Sequence, residues 1–241
     1  MLLEFENVKK RYGSREILSD ISFGIKEGEI FGLIGRSGSG KTTLLKILMG
    51  MSKIDEGRIL FEGKNALRKI KYLRRKTGFA TQRNTLFVEL SVYENGLYFG
   101  KLYGMRKRVI KERFMELIKL LGLDGFENTL IRNLSGGMVK RANLLVSLIH
   151  GPGLLVLDEP TAGLDPILRK NLWAYIHEIN NAGTTILVTS HLLEEIEENC
   201  DRIGILDKSR IIEVATPQQY RERYGRAKSF NEIFKLALES Q

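Results

Sequence analysis

Residues 29–43 read EIFGLIGRSGSGKTT, an apolar run, then a loop of three glycines and two serines, then Lys41, Thr42 and Thr43. EIFGLIG has the character of a strand buried on both faces of a parallel sheet. GRSGSGKT, residues 35–42, fits G-x-x-x-x-G-K-[ST] in full. It lies where its mechanism requires, after a strand and before a helix expected over 41–49. Glycines let the backbone wrap closely round phosphates, Lys41 reaches the β and γ groups, and Thr42 offers a hydroxyl to Mg²⁺. A glycine-rich turn without a ligand is the plain alternative, so the rest of the chain must decide.

LLVLDEP, residues 154–160, is a second buried-strand run, and it delivers Asp158 and Glu159 to its carboxyl end, the usual ligand edge of a parallel sheet. Asp158 can hold the metal through water, and Glu159 can polarise an attacking water. A third feature is LSGGM, residues 134–138, which opens the helical stretch VKRANLLVSLI. A serine and two glycines at a helix start make a site for an anion, because unpaired NH groups and the helix dipole point there. The chain therefore carries two phosphate grips, and only one has a lysine.

Around these motifs, LLEFENV and ILSDISFGI alternate like short strands, and DEGRILFEGK reads as a further strand bounded by glycines, after which the pattern turns helical. In KRVIKERFMELIKLLGL, Ile110, Phe114, Leu117, Ile118 and Leu121 recur at helical spacing, ended by Gly122. TTILVTS is another buried run, separated from LLVLDE by the helical PILRKNLWAYIHEINNAG. The order predicts an α/β core carrying an inserted helical region over about 83–150. The last sixteen residues, 226–241, place Phe230, Ile233, Phe234 and Leu236 to Leu238 for a short amphipathic helix that packs onto the domain.

With 241 residues and 43% hydrophobic content, the chain can bury an ordinary globular core. No apolar run reaches the ~18 residues needed to cross a bilayer. The amino terminus reads as a strand without signal-peptide form, so the cytoplasm is the expected compartment. The single Cys200 cannot form an internal disulfide and is expected to be an inert packing residue. A formal charge of +9 suits nucleic acid, an anionic membrane surface or a nucleotide, and does not choose among them.

Taken together, Tyr12, GRSGSGKTT, Gln82 in GFATQRNTLF, LSGGM, LLVLDEP, AGLDP and His191 in VTSH stand in the order found in one family. Over nearly its whole length the chain resembles the nucleotide-binding subunits of ATP-binding cassette (ABC) transporters. The resemblance implies a P-loop NTPase core with a mostly parallel sheet, an antiparallel β subdomain and an inserted α-helical subdomain. Residues 1–225 would form the ATPase domain and 226–241 a C-terminal helical tail.

It also implies roles. Tyr12 stacks on adenine; Gly35, Arg36, Ser37, Gly38, Ser39, Gly40, Lys41, Thr42 and Thr43 hold the phosphates. Gln82 touches Mg²⁺ and the water region, and His191 contacts the γ-phosphate. Ser135, Gly136 and Gly137 bind the γ-phosphate of an ATP held by the opposite subunit, so two chains close head to tail round two nucleotides. Asp165 resembles the loop through which two subunits sense each other, although an Asp before Pro also starts turns unaided. His150 and His177 have no such context and are expected to be structural.

Met138 replaces the glutamine more often found there; similar LSGGM sequences recur in exporter subunits whose permease is a separate chain. The stretch GFATQRNTLFVELSVYENGLYFGKLYGM and the ending SFNEIFKLAL resemble exporter ATPases acting on drugs, lipids or polysaccharides. Leu86, Phe87, Tyr93, Tyr98 and Phe99 are candidates to line a groove for a permease helix, with core packing the expected role of at least half of them. Near RIIEVATPQQY, Glu213 and Ala215 stand where the family has glycines, which leaves that turn open. The expected protein is an ATP- and Mg²⁺-using subunit on the cytoplasmic face of the cell membrane. Its expected partners are an integral-membrane permease and a second ABC subunit, identical or paralogous. The rival is a soluble ABC ATPase acting on nucleic acid or ribosomes; those usually fuse two cassettes or carry long coiled coils, so nucleic acid is not the expected partner.

Overall fold

A computed structural model describes residues 1–82, 85–225, 227 and 229–240. The expected insert starts at 83 and the expected tail at 226, and both positions lie outside the described residues. The chain divides into two compact units, Met1–Arg74 with Thr185–Gln241, and Arg75–Thr184.

The first unit opens with β1 (Leu3–Tyr12) and β2 (Arg15–Ile25), an antiparallel pair. The buried β3 (Ile30–Ile34) runs into the glycine loop and α1 (Lys41–Leu48). β4 (Glu56–Phe61) and the short β5 (Lys64–Asn65) complete a sheet of order β2-β1-β4-β5, followed by α2 (Ile70–Lys76). Alternation in β1 sends Leu3 and Phe5 inward, and the irregularity at Asn7 (φ 51°) brings Val8 inward after them; Phe5 stacks on Phe23, which stacks on Phe31 of β3.

In the second unit, β6 (Thr77–Ala80) precedes α3 (Val92–Leu102) and α4 (Lys107–Leu120). A single 3₁₀ turn (Ile131–Asn133), α5 (Gly136–Leu148), β7 (Leu154–Asp158) and α6 (Pro166–Asn181) follow. All five apolar residues expected at helical spacing in 107–123 are buried. β6 and β7 pair in parallel, with Ala80 beside Leu157. β6 had no counterpart in the sequence reading: it is four residues long and contains Gly78, whose Cβ would lie 2.2 Å from the Ser147 carbonyl oxygen.

The chain then returns to the first unit with β8 (Thr185–Thr189), α7 (Leu193–Asn199), β9 (Arg202–Asp207) and β10 (Arg210–Ala215). β3 pairs in parallel with β8 on one side and β9 on the other; β10 is antiparallel to β9. The hairpin left open by Glu213 and Ala215 turns through Lys208 and Ser209, both with positive φ, and slips register between Ile211 and Glu213. Glu213 has become a partner for Arg223 and Tyr224.

α8 (Pro217–Arg223) and α9 (Phe230–Glu239) end the chain. The fully buried Tyr220 donates to the Ile203 carbonyl at 3.1 Å and meets Phe230 edge-on, anchoring both helices. Of the apolar residues expected on the buried face of α9, Phe230, Ile233, Ala237 and Leu238 are inside, Phe234 is half-buried and Leu236 is exposed. Four-residue spacing from Ile233 turns Ala237 inward and leaves Leu236 on the outer face.

Among the described residues, no helix is long and apolar enough to cross a membrane. Cys200 is buried with its thiol pushed well up by desolvation, consistent with packing. His150 is structural too: its ring lies flat on Tyr103 at 3.6 Å, with Nε2 3.2 Å from the Thr77 carbonyl oxygen.

Candidate functional site

The glycine loop leaves the carboxyl end of β3 and ends on Gly40, whose φ of 113° only glycine adopts easily, with no side chain capping α1. A helix start without a capping side chain is a setting suited to an anion. At Gly35, a Cβ would lie 2.1 Å from the Leu206 carbonyl oxygen, so the loop packs on β9 too closely for any side chain. Lys41 is buried and its Nζ donates to the carbonyls of Gly35 (2.7 Å) and Arg36 (3.2 Å). Arg36 lies exposed, with Nε 3.9 Å from the buried carboxylate of Asp207. Ser37 and Thr42 are exposed, whereas Ser39 is buried with a hydroxyl that has no hydrogen-bond partner.

Two further expected residues lie in this unit. Tyr12, at the end of β1, is 53% exposed, its hydroxyl 3.1 Å from Ser52 Oγ and Lys10 Nζ 5.2 Å from its ring centre. An exposed ring held at its tip is suited to stack on a planar base. His191 is exposed two residues beyond β8, and β8 registers Thr189 against Leu33 of β3. His191 and the glycine loop therefore leave the carboxyl ends of adjacent parallel strands.

The second unit repeats that arrangement with β6 and β7. Gln82 follows β6, and Asp158 and Glu159 end β7, so the three stand at one sheet edge. Asp158 is buried. Gln82 Nε2 donates to Glu159 Oε2 at 2.8 Å, holding one carboxylate oxygen. The Glu159 backbone has a φ of 49°, left-handed and costly for a residue with a Cβ. Lys140 of α5 donates to the Gln82 carbonyl at 3.3 Å; desolvation lowers its pKa while the Glu159 charge opposes that shift.

Ser135 is the N-cap of α5, accepting from the Met138 NH at 3.4 Å. Gly137 is buried against Leu168, but Gly136 is exposed and a Cβ there would meet nothing within 4 Å. Glycine at 136 is therefore not demanded by packing or by φ, and its bareness leaves backbone NH accessible. Asp165 caps α6, its Oδ1 accepting from Ile167 and Leu168 NH at 3.0 Å each. That is the turn-starting role its sequence context alone predicts.

The five groove candidates divide. Leu86 is buried and Tyr93 meets the buried Phe114 edge-on, whereas Phe87 and Tyr98 are exposed and packed on each other at 4.7 Å, with the half-buried Phe99 5.6 Å from Tyr98. Sequence reasoning missed Asn95, fully buried in α3. Its amide donates to the carbonyls of Phe87, Leu90 and Ser91 and accepts from the Phe87 NH, bracing the loop that presents Phe87. The only signal was a polar residue on an otherwise apolar helix face. Lys140 and Asp207 were also missed, because their partners are remote in sequence.

Residues 18–162 match the family model described as ABC transporter. The linearmycin resistance ATP-binding protein LnrL of Bacillus subtilis is 36% identical over 246 residues, covering 99% of this chain and 79% of that protein. The Nod factor export ATP-binding protein I of Rhizobium leguminosarum bv. viciae is 37% identical over 215 residues, 89% of this chain and 69% of that protein. Among solved structures, an ATP-binding subunit of an ABC transporter superposes with a TM-score of 0.88 at 26% identity, covering 99% of this chain and all of that one. CbiO1 of Clostridium perfringens, part of an ABC transporter complex, gives 0.83 at 28% identity over 93% and 96% of the two chains. The glycine loop, the carboxylate strand and these likenesses over nearly the full length agree, and the chain belongs to the ABC transporter family as an ATP-hydrolysing, ATP-binding subunit.

Proposed function

We propose that this subunit powers an exporter by closing, with a second ABC subunit, round shared ATP on the cytoplasmic face of a membrane, and that a separate permease chain receives the motion. The observation that carries the reading is the exposed Ser135–Gly136 helix start, a phosphate grip with no lysine of its own, in a chain whose Lys41 serves a different helix start. The name of the Nod factor export protein supports the direction of transport. Residues 1–225 form the ATPase domain in this reading, with the helical insert over about 83–150 and 226–241 as its tail.

Each residue then has a task. Tyr12 stacks on adenine, and the backbone of residues 35–43 with Lys41 neutralises the phosphates. Thr42, Gln82 and Asp158 would hold Mg²⁺: hydroxyl, amide carbonyl and a single carboxylate are the hard oxygen donors that ion takes beside phosphates and water. With the Gln82 amide nitrogen committed to Glu159, its carbonyl oxygen is the end left for the ion. When bound, the ion offsets charge on the β and γ phosphates. Glu159 accepts a proton from the water that attacks the γ-phosphorus, and His191 donates to the γ-phosphate oxygens. ATP drives closure because it binds the closed pair better than the open one, and cleavage removes that difference.

The test is Glu159→Gln at saturating Mg·ATP, followed by light scattering and turnover. We expect a stable ATP-dependent dimer and turnover reduced at least a hundredfold. A monomer in that variant, with the permease present, overturns the reading.

A further inference from the structure

Residues 64–76, KNALRKIKYLRRK, contain seven lysines and arginines and no acidic residue. Elsewhere several surface cations have a carboxylate partner: Lys9 with Glu56, Arg58 with Glu6, Arg132 with Glu89, Arg221 with Glu197. Among the described residues, no ion pair includes any of the seven. Lys64, Arg68, Lys69 and Lys71 are exposed and, with Ile70 and Tyr72, line a hollow of about 440 Å³ between β5 and the start of α2. Unpaired cations converging on a concave surface repel one another, a cost that a bound anion removes.

The hollow is shaped rather than loose. Tyr72 meets Phe61 edge-on and donates to the Glu62 carboxylate, which fixes its ring. Lys64 Nζ lies 5.0 Å from the centre of that ring. α2 is anchored by Leu73, fully buried, and by Arg74, which donates to the carbonyls of Met49 (3.0 Å) and Gly50 (3.3 Å). Ammonium and guanidinium groups are thus presented from a fixed base.

We propose that this hollow binds the phosphate headgroups of anionic phospholipids, giving the subunit a membrane contact of its own. The proposal rests on the membrane-side location proposed above. Nucleic acid fits less well: single strands are held by bases stacked on open aromatic faces, and here the one ring is half-buried, taken by Phe61 at its edge and Lys64 at its face. Clusters of four or more cations at a membrane surface bind anionic lipid, each contributing attraction that salt screens.

The test is flotation of the full chain with vesicles of phosphatidylcholine alone or with one third phosphatidylglycerol. Wild type is compared with Lys69→Glu/Lys71→Glu and with a charge-matched control on α4, Lys107→Glu/Lys111→Glu. We expect wild type to float only with phosphatidylglycerol, less so at high salt. The hollow variant should bind at least tenfold more weakly, the control within about twofold of wild type, and ATP turnover should be unchanged in both. The proposal is overturned if wild type does not float, if the control loses as much as the hollow variant, or if single-stranded RNA at equal phosphate concentration displaces the vesicles. Turnover is read separately, so a chain that floats as described but fails to hydrolyse ATP defeats the function proposed above and leaves the lipid site standing.

Discussion

Gln82 Nε2 and Glu159 Oε2 meet at 2.8 Å although 77 residues separate them, because β6 and β7 run in parallel and end at the same edge. In the proposed function Glu159 takes a proton from water, a task that needs an aimed carboxylate, and this bond aims it. Gln82→Ala should lower kcat by roughly tenfold to a hundredfold, while nucleotide affinity, read by fluorescence of a bound analogue, changes by less than about threefold. An unchanged kcat would show that Glu159 needs no such support.

The left-handed backbone of Glu159, φ 49°, separates chemistry from stability at one position. Glu159→Ala and Glu159→Gly both remove the carboxylate, so both should abolish most turnover. Their stabilities should differ, with glycine about 1 kcal/mol better because it has no Cβ to crowd the carbonyl. Urea titration of the two variants measures that difference, and equal midpoints would contradict the strain.

Gly35 and Gly136 should respond oppositely to the same methyl group. At Gly35 a Cβ overlaps the Leu206 carbonyl oxygen, so Gly35→Ala should cost about 2–4 kcal/mol, seen as a Tm drop of roughly 5–15 °C. At Gly136 a Cβ meets nothing, so Gly136→Ala should leave Tm within roughly 2 °C. Its ATP turnover should still fall more than about tenfold, since in the proposed function the methyl group would occupy the face offered to the other subunit's γ-phosphate. Full activity in Gly136→Ala would remove the support for a shared nucleotide.

Burial pushes the His150 imidazole down to about 4, with the hydrogen bond to the Thr77 carbonyl opposing the shift. A folded pKa below the unfolded value of about 6.5 means that the unfolded chain binds the proton more readily between those two values. The contribution of His150 to stability should therefore be constant above about pH 6.5, fall by on the order of 1–3 kcal/mol as pH drops toward 4, and level off below. His150→Phe, which keeps a ring against Tyr103, should lose that part of the slope. Denaturant midpoints of both proteins across pH 4–7 report it, and parallel profiles would show that His150 is not the group responsible.

What neighbouring residues decide among themselves was legible in the chain alone. The apolar run before Gly35, the glycine spacing and the helix from Lys41 follow from local conformation and periodicity, and α4 shows the same for Ile110, Phe114 and Leu117. The order of the motifs carried the family. Only the folded chain decided which distant groups meet. It brought Gln82 to Glu159 and Lys140 to the Gln82 carbonyl, through pairings that no sequence period encodes. It also separated Leu86 and Tyr93, which face the interior, from Phe87 and Tyr98, which face outward. β6 escaped the reading for the same reason: four residues carry too little pattern, and it is a strand because β7 supplies its hydrogen bonds.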